Sequence, residues 1–383
     1  MIYLDNAATS YPKPPSVIRA MMRCMEHDGG NAGRGSHPLA MRAAERIYEC
    51  RCEVAAFFGA SSPADVIFTA NTTMALNMVI KGLLREGDHV LISDLEHNAV
   101  YRPIAKLANE GRITYGIYPS MVEKKDRTAS QICTAIEAMI RPNTRMVICT
   151  HASNICSATM PIAEIGALCH RCGVLFAVDA AQSAGHIPID VTRMQIDALC
   201  APGHKGLLGP QGSGVLVISP RVSAETLMEG GSGYNSLEWE MPAEPPERYE
   251  AGTLATPAIA GLCEGIRTVN SIGVARIGRQ VSEWCHTLQE RLERIPNVTV
   301  YLPHHTGSIL LFNLDGIGAD LVGRELGARG ICVRTGYHCS ALGHGTLQTP
   351  HGGAVRVSPG YQSAHAEISA LVRAIEVLRG ELR

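Results

Sequence analysis

Leu175-Phe176-Ala177-Val178-Asp179-Ala180-Ala181-Gln182 decides the reading of this chain. An apolar run that stops on an acid predicts a buried strand ending in a carboxylate. Similar short runs lie at 66–69, 89–93, 112–118, 145–150, 198–201 and 214–219, and the strand of the opening stretch extends over 174–179. Amphipathic stretches at 74–84, 99–108, 130–140 and 162–172 fall between them and predict helices. Alternation of this kind predicts an α/β fold, a mainly parallel sheet with helices on both faces. In such sheets ligands bind beyond the C-terminal ends of the strands, which is where Asp179 falls.

The rhythm breaks at 230–257, a stretch rich in Gly, Pro and Glu that reads as a long functional loop or an interdomain crossing. Beyond it, helices are predicted at 259–269, 275–294, 321–328 and 365–382, and strands at 298–301, 308–313 and 331–334. The chain divides on this reading into a large domain, 15–255, and a smaller α+β domain made of 1–14 and 256–383. Its 383 residues leave room for two cores, and its composition, 46% hydrophobic and 18% charged, is that of a globular protein. A formal net charge of −2 gives no electrostatic reason to bind nucleic acid or an anionic membrane. No apolar run reaches the roughly 20 residues of a membrane span. Met1-Ile2-Tyr3-Leu4-Asp5 lacks the pattern of an export signal, so the thirteen cysteines are expected to be reduced thiols in a cytoplasm. Cys169-His170-Arg171-Cys172 lacks the second cysteine pair that a zinc site would need, and no metal is expected.

Gly203-His204-Lys205-Gly206 gives Asp179 its meaning. A lysine able to form a Schiff base and an acid able to pair with a pyridinium nitrogen are the two fixed points of a pyridoxal 5'-phosphate (PLP) site. Asn71-Thr72-Thr73 follows a strand and opens a helix, so its amides, hydroxyls and helix dipole suit a phosphate. His97 follows the apolar run that ends at 93, again at the C-terminal end of a strand.

With these motifs in order along nearly the whole chain, from Tyr3-Leu4-Asp5-Asn6-Ala7-Ala8 to the segment around Arg356, the sequence resembles the class V aminotransferase branch of the fold-type I PLP enzymes, and within it the cysteine desulfurases and selenocysteine lyases. The resemblance implies a seven-stranded, mainly parallel sheet in the large domain. It implies Lys205 as the residue that holds PLP and moves protons at the substrate α-carbon. Asp179 would pair with the ring nitrogen, His97 would stack on the ring, and Gln182 would donate to the phenolate oxygen. Asn154 would sit near that oxygen and the substrate carboxylate. Thr72, Thr73 and His204 would hold the phosphate, and Thr253 would reach it from the partner subunit of a homodimer. Pro202 departs from the pattern, because many relatives place a hydroxyl residue there.

Cys339, in Arg334-Thr335-Gly336-Tyr337-His338-Cys339-Ser340, matches the segment in which desulfurases carry a nucleophilic thiolate, although relatives often have His where this chain has Tyr337. Arg356 aligns with the arginine that grips the substrate α-carboxylate, a task suited to a guanidinium. The implied reaction converts L-cysteine to L-alanine, leaves the sulfur on Cys339 as a persulfide, and passes it to an acceptor such as an iron–sulfur scaffold or carrier protein. A selenocysteine lyase or another C–S lyase would use the same residues. An aminotransferase would give Cys339 no role, and a non-catalytic scaffold would not need Lys205, Asp179, His97 and Arg356 together.

Overall fold

A computed structural model describes residues 1–33, 35–122, 125–301 and 307–382. Its elements in chain order are β1 (Ile2–Tyr3), α1 (Pro15–His27), α2 (Pro38–Phe58), β2 (Val66–Thr69), α3 (Thr72–Leu83), β3 (His89–Ser93), α4 (Asn98–Asn109), β4 (Thr114–Tyr118), β5 (Met121–Val122), β6 (Lys125–Asp126), α5 (Ala129–Met139), β7 (Thr144–Thr150), α6 (Ile162–Arg171), β8 (Leu175–Asp179), β9 (Ala198–Pro202) and β10 (Gly214–Ile218). The second half contains α7 (Thr256–Ile272), α8 (Val274–Leu292), β11 (Val298–Tyr301), β12 (Leu310–Leu314), α9 (Ala319–Ala328), β13 (Ile331–Cys332), β14 (Arg334–Gly336), α10 (Ala341–Leu347), β15 (Ala354–Val357) and α11 (His365–Glu381).

Seven strands form one sheet in the order β2-β10-β9-β8-β7-β3-β4. The pairs from β9 to β4 are parallel, and β10 alone runs against both its neighbours. Successive side chains of a strand face opposite sides, and both faces of this sheet are covered. Val147, Cys149, Phe176, Val178, Leu199 and Val215 pack under α2, α5, α6 and α7. Their alternates Met146, Ile148, Ala177, Cys200 and Leu216 pack under α3 and α4. Burial on both faces explains why these strands read as continuous apolar runs rather than alternating ones.

A four-stranded antiparallel sheet, β11-β12-β15-β14, carries α8, α9 and α11 on one face through Leu288, Phe312, Val322, Val355, Leu371 and Ile375. The N-terminal strand β1 lies outside the large sheet and pairs in parallel with β13. The predicted strand 331–334 is two short strands, since Val333 separates β13 from β14. Helix α7 packs against α1 and α2 beside the large sheet, with Ile259, Leu262, Cys263 and Ile266 in its core. Residues 230–255 hold neither helix nor strand, in keeping with a long loop.

The two sheets meet through a third cluster. Leu95 and Ile155, on the turns after β3 and β7, pack against Leu311, Leu347 and Ala354 of the smaller sheet and its flanking helix. This contact brings the segment after β14 over the C-terminal ends of β3 and β7.

Candidate active site

Every residue singled out near the large sheet lies just past a strand's C-terminus: Thr72 after β2, His97 after β3, Asn154 after β7, Asp179 at the end of β8 and Lys205 after β9. Parallel neighbours aim these loops to one rim, as expected of a doubly wound sheet. Asp179 is 2% exposed, and its Oδ1 accepts from the Ala181 amide at 2.9 Å. Burial raises its pKa, while the Ala181 N–H and the Lys205 ammonium oppose the rise. Burial in turn lowers the Lys205 amine to about 8, against the pull of Asp179 and with the push of Arg356 and Arg334. The acid and the amine therefore feel each other across one site.

Glycines hold the lysine in place. A Cβ on Gly206 would stand 2.2 Å from the Ala184 carbonyl oxygen, and one on Gly203 would stand 2.0 Å from Ser213 Oγ. The loop thus lies backbone-to-backbone against the turn that follows Asp179, an approach only glycine allows. On its other side, the His204 carbonyl accepts from Ser10 N at 3.0 Å and Lys13 Nζ at 2.7 Å, tying the N-terminal segment to the lysine loop. Lys205 also lines a cavity of about 170 Å³ with Asn6, Ser10 and Tyr361. Neither Asp179 nor His97 reaches that cavity, so it is not where acid and amine converge.

His97 caps α4: its Nδ1 accepts from the Ala99 amide at 3.0 Å, leaving the proton of the neutral ring on Nε2. Burial, with Lys205 and Arg356 adding to it, drives its pKa to about 4, so the ring is uncharged near neutrality. Next to it Glu96 is fully buried. Its Oε1 accepts from Ser93 Oγ at 2.5 Å and Thr150 N at 2.7 Å, and burial raises its pKa to about 8.

Arg356, on β15, is 3% exposed. Its Nη2 donates to Asp5 Oδ1 at 3.0 Å and its Nη1 to the Asn154 carbonyl at 2.9 Å, and Arg334 stands 3.5 Å from the same Asp5 carboxylate. A guanidinium has five N–H donors, so donors remain for a further carboxylate. The Asn154 amide donates to the His338 carbonyl at 2.7 Å, and the Asn98 amide at the start of α4 donates to the Cys339 carbonyl at 2.7 Å. The cysteine turn is thus fastened to the two loops that carry His97 and Asn154. His338 and Cys339 have φ of +49° and +56°, a left-handed pair that costs non-glycine residues about 1 kcal/mol or more each. The Cys339 side chain is exposed.

Some assignments take a different shape. Gln182 Nε2 donates to the Ala7 carbonyl at 3.0 Å, so one of its two N–H groups is already used. Thr253 accepts from Asn31 Nδ2 at 3.2 Å and lines a groove with Asn31, Arg51 and residues 231–233 rather than the cavity of Lys205. Pro202 is the last residue of β9, opposite Gly214. Asp5 and Glu96 were not singled out from the sequence. Asp5 stood inside the quoted N-terminal motif, and the acid beside His97 was the signal for Glu96.

Buried polar atoms without a protein partner among the described residues include Thr72 Oγ1, His204 Nδ1 and Arg356 Nε. Such atoms are costly unless a ligand satisfies them. A hydroxyl and an imidazole for a phosphate, a carboxylate for a ring nitrogen, an amine for an aldehyde and a guanidinium for an amino-acid carboxylate form the donor set that PLP and an amino acid require.

The sequence matches the aminotransferase class-V family over residues 2–371. The chain belongs to that family. A probable cysteine desulfurase of Methanothermobacter thermautotrophicus is 35% identical over 99% of this chain and 95% of its own length. A cysteine desulfurase of Escherichia coli O1:K1 is 30% identical over 98% and 93%. The apo structure of a cysteine desulfurase from Thermococcus onnurineus NA1 superposes with a TM-score of 0.89 at 30% identity, covering 99% of this chain and 95% of that one. Within the class V family, this is an enzyme of the cysteine desulfurase group. The expected α/β architecture and family hold.

Proposed function

We propose that the protein is a PLP-dependent cysteine desulfurase that converts L-cysteine to L-alanine and takes the sulfur onto Cys339 as a persulfide. The observation that carries this reading is the docking of the Cys339 turn by Asn98 and Asn154 onto the loops beside Asp179 and Arg356. An aminotransferase has no use for a thiol held there.

Thr72, Thr73 and His204 would bind the cofactor's phosphate, Asp179 its ring nitrogen and Gln182 its phenolate oxygen, with neutral His97 stacked on the ring. When bound, PLP supplies an electron sink for the charge left at the substrate α-carbon. Arg356 grips the α-carboxylate, with Asn154 beside it. The Lys205 amine takes the α-proton and later returns it. The Cys339 thiolate attacks the substrate sulfur: an S–S bond forms, the C–S bond breaks with its electron pair passing to the carbon side, and protonation there completes L-alanine. An acceptor, such as an iron–sulfur scaffold or a carrier protein, then removes the persulfide sulfur. The exposure of Cys339 supports such a handover.

A homodimer, with Thr253 completing the partner's phosphate site, belongs to the same proposal, as do L-selenocysteine as a second substrate and a cytoplasmic location. Thirteen free thiols accord with a reducing compartment. No helix among the described residues is long and apolar enough to cross a membrane. The unit bearing Arg356 and Cys339 is proposed as 1–14 with 256–383, against 15–255. The pairing of β1 with β13 favours that grouping, and α7 is the part of it that packs on the large sheet's helices.

The direct test is product analysis. Purified, PLP-loaded protein given L-cysteine and a thiol reductant should release alanine and sulfide in equal amounts, and formation of a keto acid instead would favour the aminotransferase. Comparing rates with L-selenocysteine ranks the two substrates. Arg356→Lys keeps the charge but loses the forked donor. Loss of a charged hydrogen bond worth about 1.5–3 kcal/mol should raise KM for L-cysteine by roughly 10- to 100-fold. Only the uncharged Lys205 amine can capture PLP. With its pKa lowered to about 8, the rate of cofactor capture by the apo-protein should climb as pH rises through about 8 and then level off. A stopped-flow absorbance series would show a midpoint near an ordinary lysine's, about 10.4, if the amine were not desolvated.

A further inference from the structure

The ring of His338, beside Cys339, belongs to a hydrogen-bond chain that the proposed chemistry does not use. His338 Nε2 lies 3.4 Å from the Arg334 carbonyl, and its Nδ1 lies 3.1 Å from His344 Nε2. The other nitrogen of His344, Nδ1, lies 2.8 Å from Thr349 Oγ1. One end of this chain sets its direction. A carbonyl only accepts, so His338 Nε2 carries the proton and donates to Arg334. In a neutral ring Nδ1 then accepts, which makes His344 Nε2 the donor. His344 Nδ1 accepts in turn, and the Thr349 hydroxyl donates to it. Burial first, then Arg356, drives the two rings to pKa values of about 3 and about 4, in agreement with a wholly neutral chain.

Both nitrogens of His338 are therefore committed, and the residue next to Cys339 is not its base. Its ring is instead held still: it lies at 14° to that of His344, which also takes the edge of Tyr337 at a ring distance of 5.4 Å. The His338 backbone is gripped as well, by Asn154 on its carbonyl. His344 is buried at 4% exposure although it neighbours an exposed thiol.

We propose that His344 and Thr349 are positioning residues for sulfur transfer: their chain locks the His338 ring and, through it, the left-handed His338-Cys339 backbone, so that the thiol is presented from one fixed turn. The inference rests on Cys339 being the sulfur acceptor. Because a misplaced reacting group costs up to roughly 100-fold in rate, His344→Leu should lower kcat for alanine formation by about 10- to 100-fold. KM for L-cysteine and the absorbance of bound PLP should stay as in the wild type. Thr349→Val, a change of similar volume, should lower kcat in the same direction. His344→Gln, whose amide can still donate to His338 Nδ1, should recover most of the rate.

A nitrogen-15 spectrum of the imidazoles should show His338 protonated on Nε2 in the wild type. If His344→Leu and Thr349→Val turn over at the wild-type rate while Cys339→Ser is inactive, the positioning role is wrong and the persulfide reading stands. An active Cys339→Ser removes the basis of both. A His338 ring protonated on Nδ1, or equal losses in His344→Leu and His344→Gln, would also overturn the proposal.

Discussion

Lys205→Ala should yield a folded protein that no longer turns yellow with PLP and that forms alanine from L-cysteine at least about 10⁴-fold more slowly than the wild type, the loss expected when proton transfer and covalent attachment go together. The effect is large because no other amine among the described residues is placed to substitute. Lys13, the other lysine near this loop, is spent on Ser10 Oγ and the His204 carbonyl, both at 2.7 Å. Folding should survive. The Lys205 amine is kept from its ordinary protonation by burial, which is a cost to the native state rather than a support. Gly203 and Gly206, not the lysine side chain, make the backbone contacts that shape the loop. A melting temperature that does not fall, together with a lost visible band, would separate chemistry from structure. A variant that still binds PLP and turns over cysteine would remove Lys205 from the site.

Cys339→Ser should separate the two halves of the reaction. The side chain is exposed and the substitution changes one atom, so stability should stay within about 0.5 kcal/mol of the wild type. The left-handed backbone at this position is equally strained with either residue. Cofactor colour and the spectral response to added L-cysteine should remain, because Asp179, Lys205 and Arg356 are untouched. Alanine and sulfide formation should fall by about 10³-fold or more, since a hydroxyl is a far weaker nucleophile toward sulfur than a thiolate. Retention of full activity would assign the sulfur to another group, and Cys172, the other exposed cysteine, would then be the one to test.

How much of this could be read from residues alone depended on whether local pattern decides structure. The large sheet was legible because each strand is buried on both faces and advertises itself as an apolar run; β2 and β3 fall where the runs at 66–69 and 89–93 place them. Asp179 and Lys205 were legible because chemistry and strand ends coincide. Helices α1 and α2 escaped notice, since α1 carries exposed Ile18, Met22 and Met25 and does not present a clean polar face. The antiparallel course of β10 is not written in its sequence, because a run buried on both faces looks the same in either direction.

The site's tertiary links were the least legible part. Asp5 and Arg356 lie at opposite ends of the chain yet stand 3.0 Å apart, brought together by the pairing of β1 with β13 and by the parallel bridge of Asp5 to Ser358. Glu96 drew no attention next to His97, because nothing local says that its carboxyl is wholly buried and bonded to Thr150 of another strand. His338 adjoins Cys339 in the sequence, and the fold gives both of its ring nitrogens to other groups. The roles of Gln182 and Thr253 rest on family likeness, and in this chain alone their side chains bond to Ala7 and Asn31.

The central claim is that sulfur leaves cysteine by way of Cys339. The most direct measurement is peptide mass spectrometry of the PLP-loaded enzyme after a single turnover with L-cysteine in the absence of any thiol acceptor. The account predicts one extra sulfur atom on the peptide containing Cys339, and on none of the other twelve cysteines. Alanine released without that added mass, or with the sulfur on another cysteine, would contradict it.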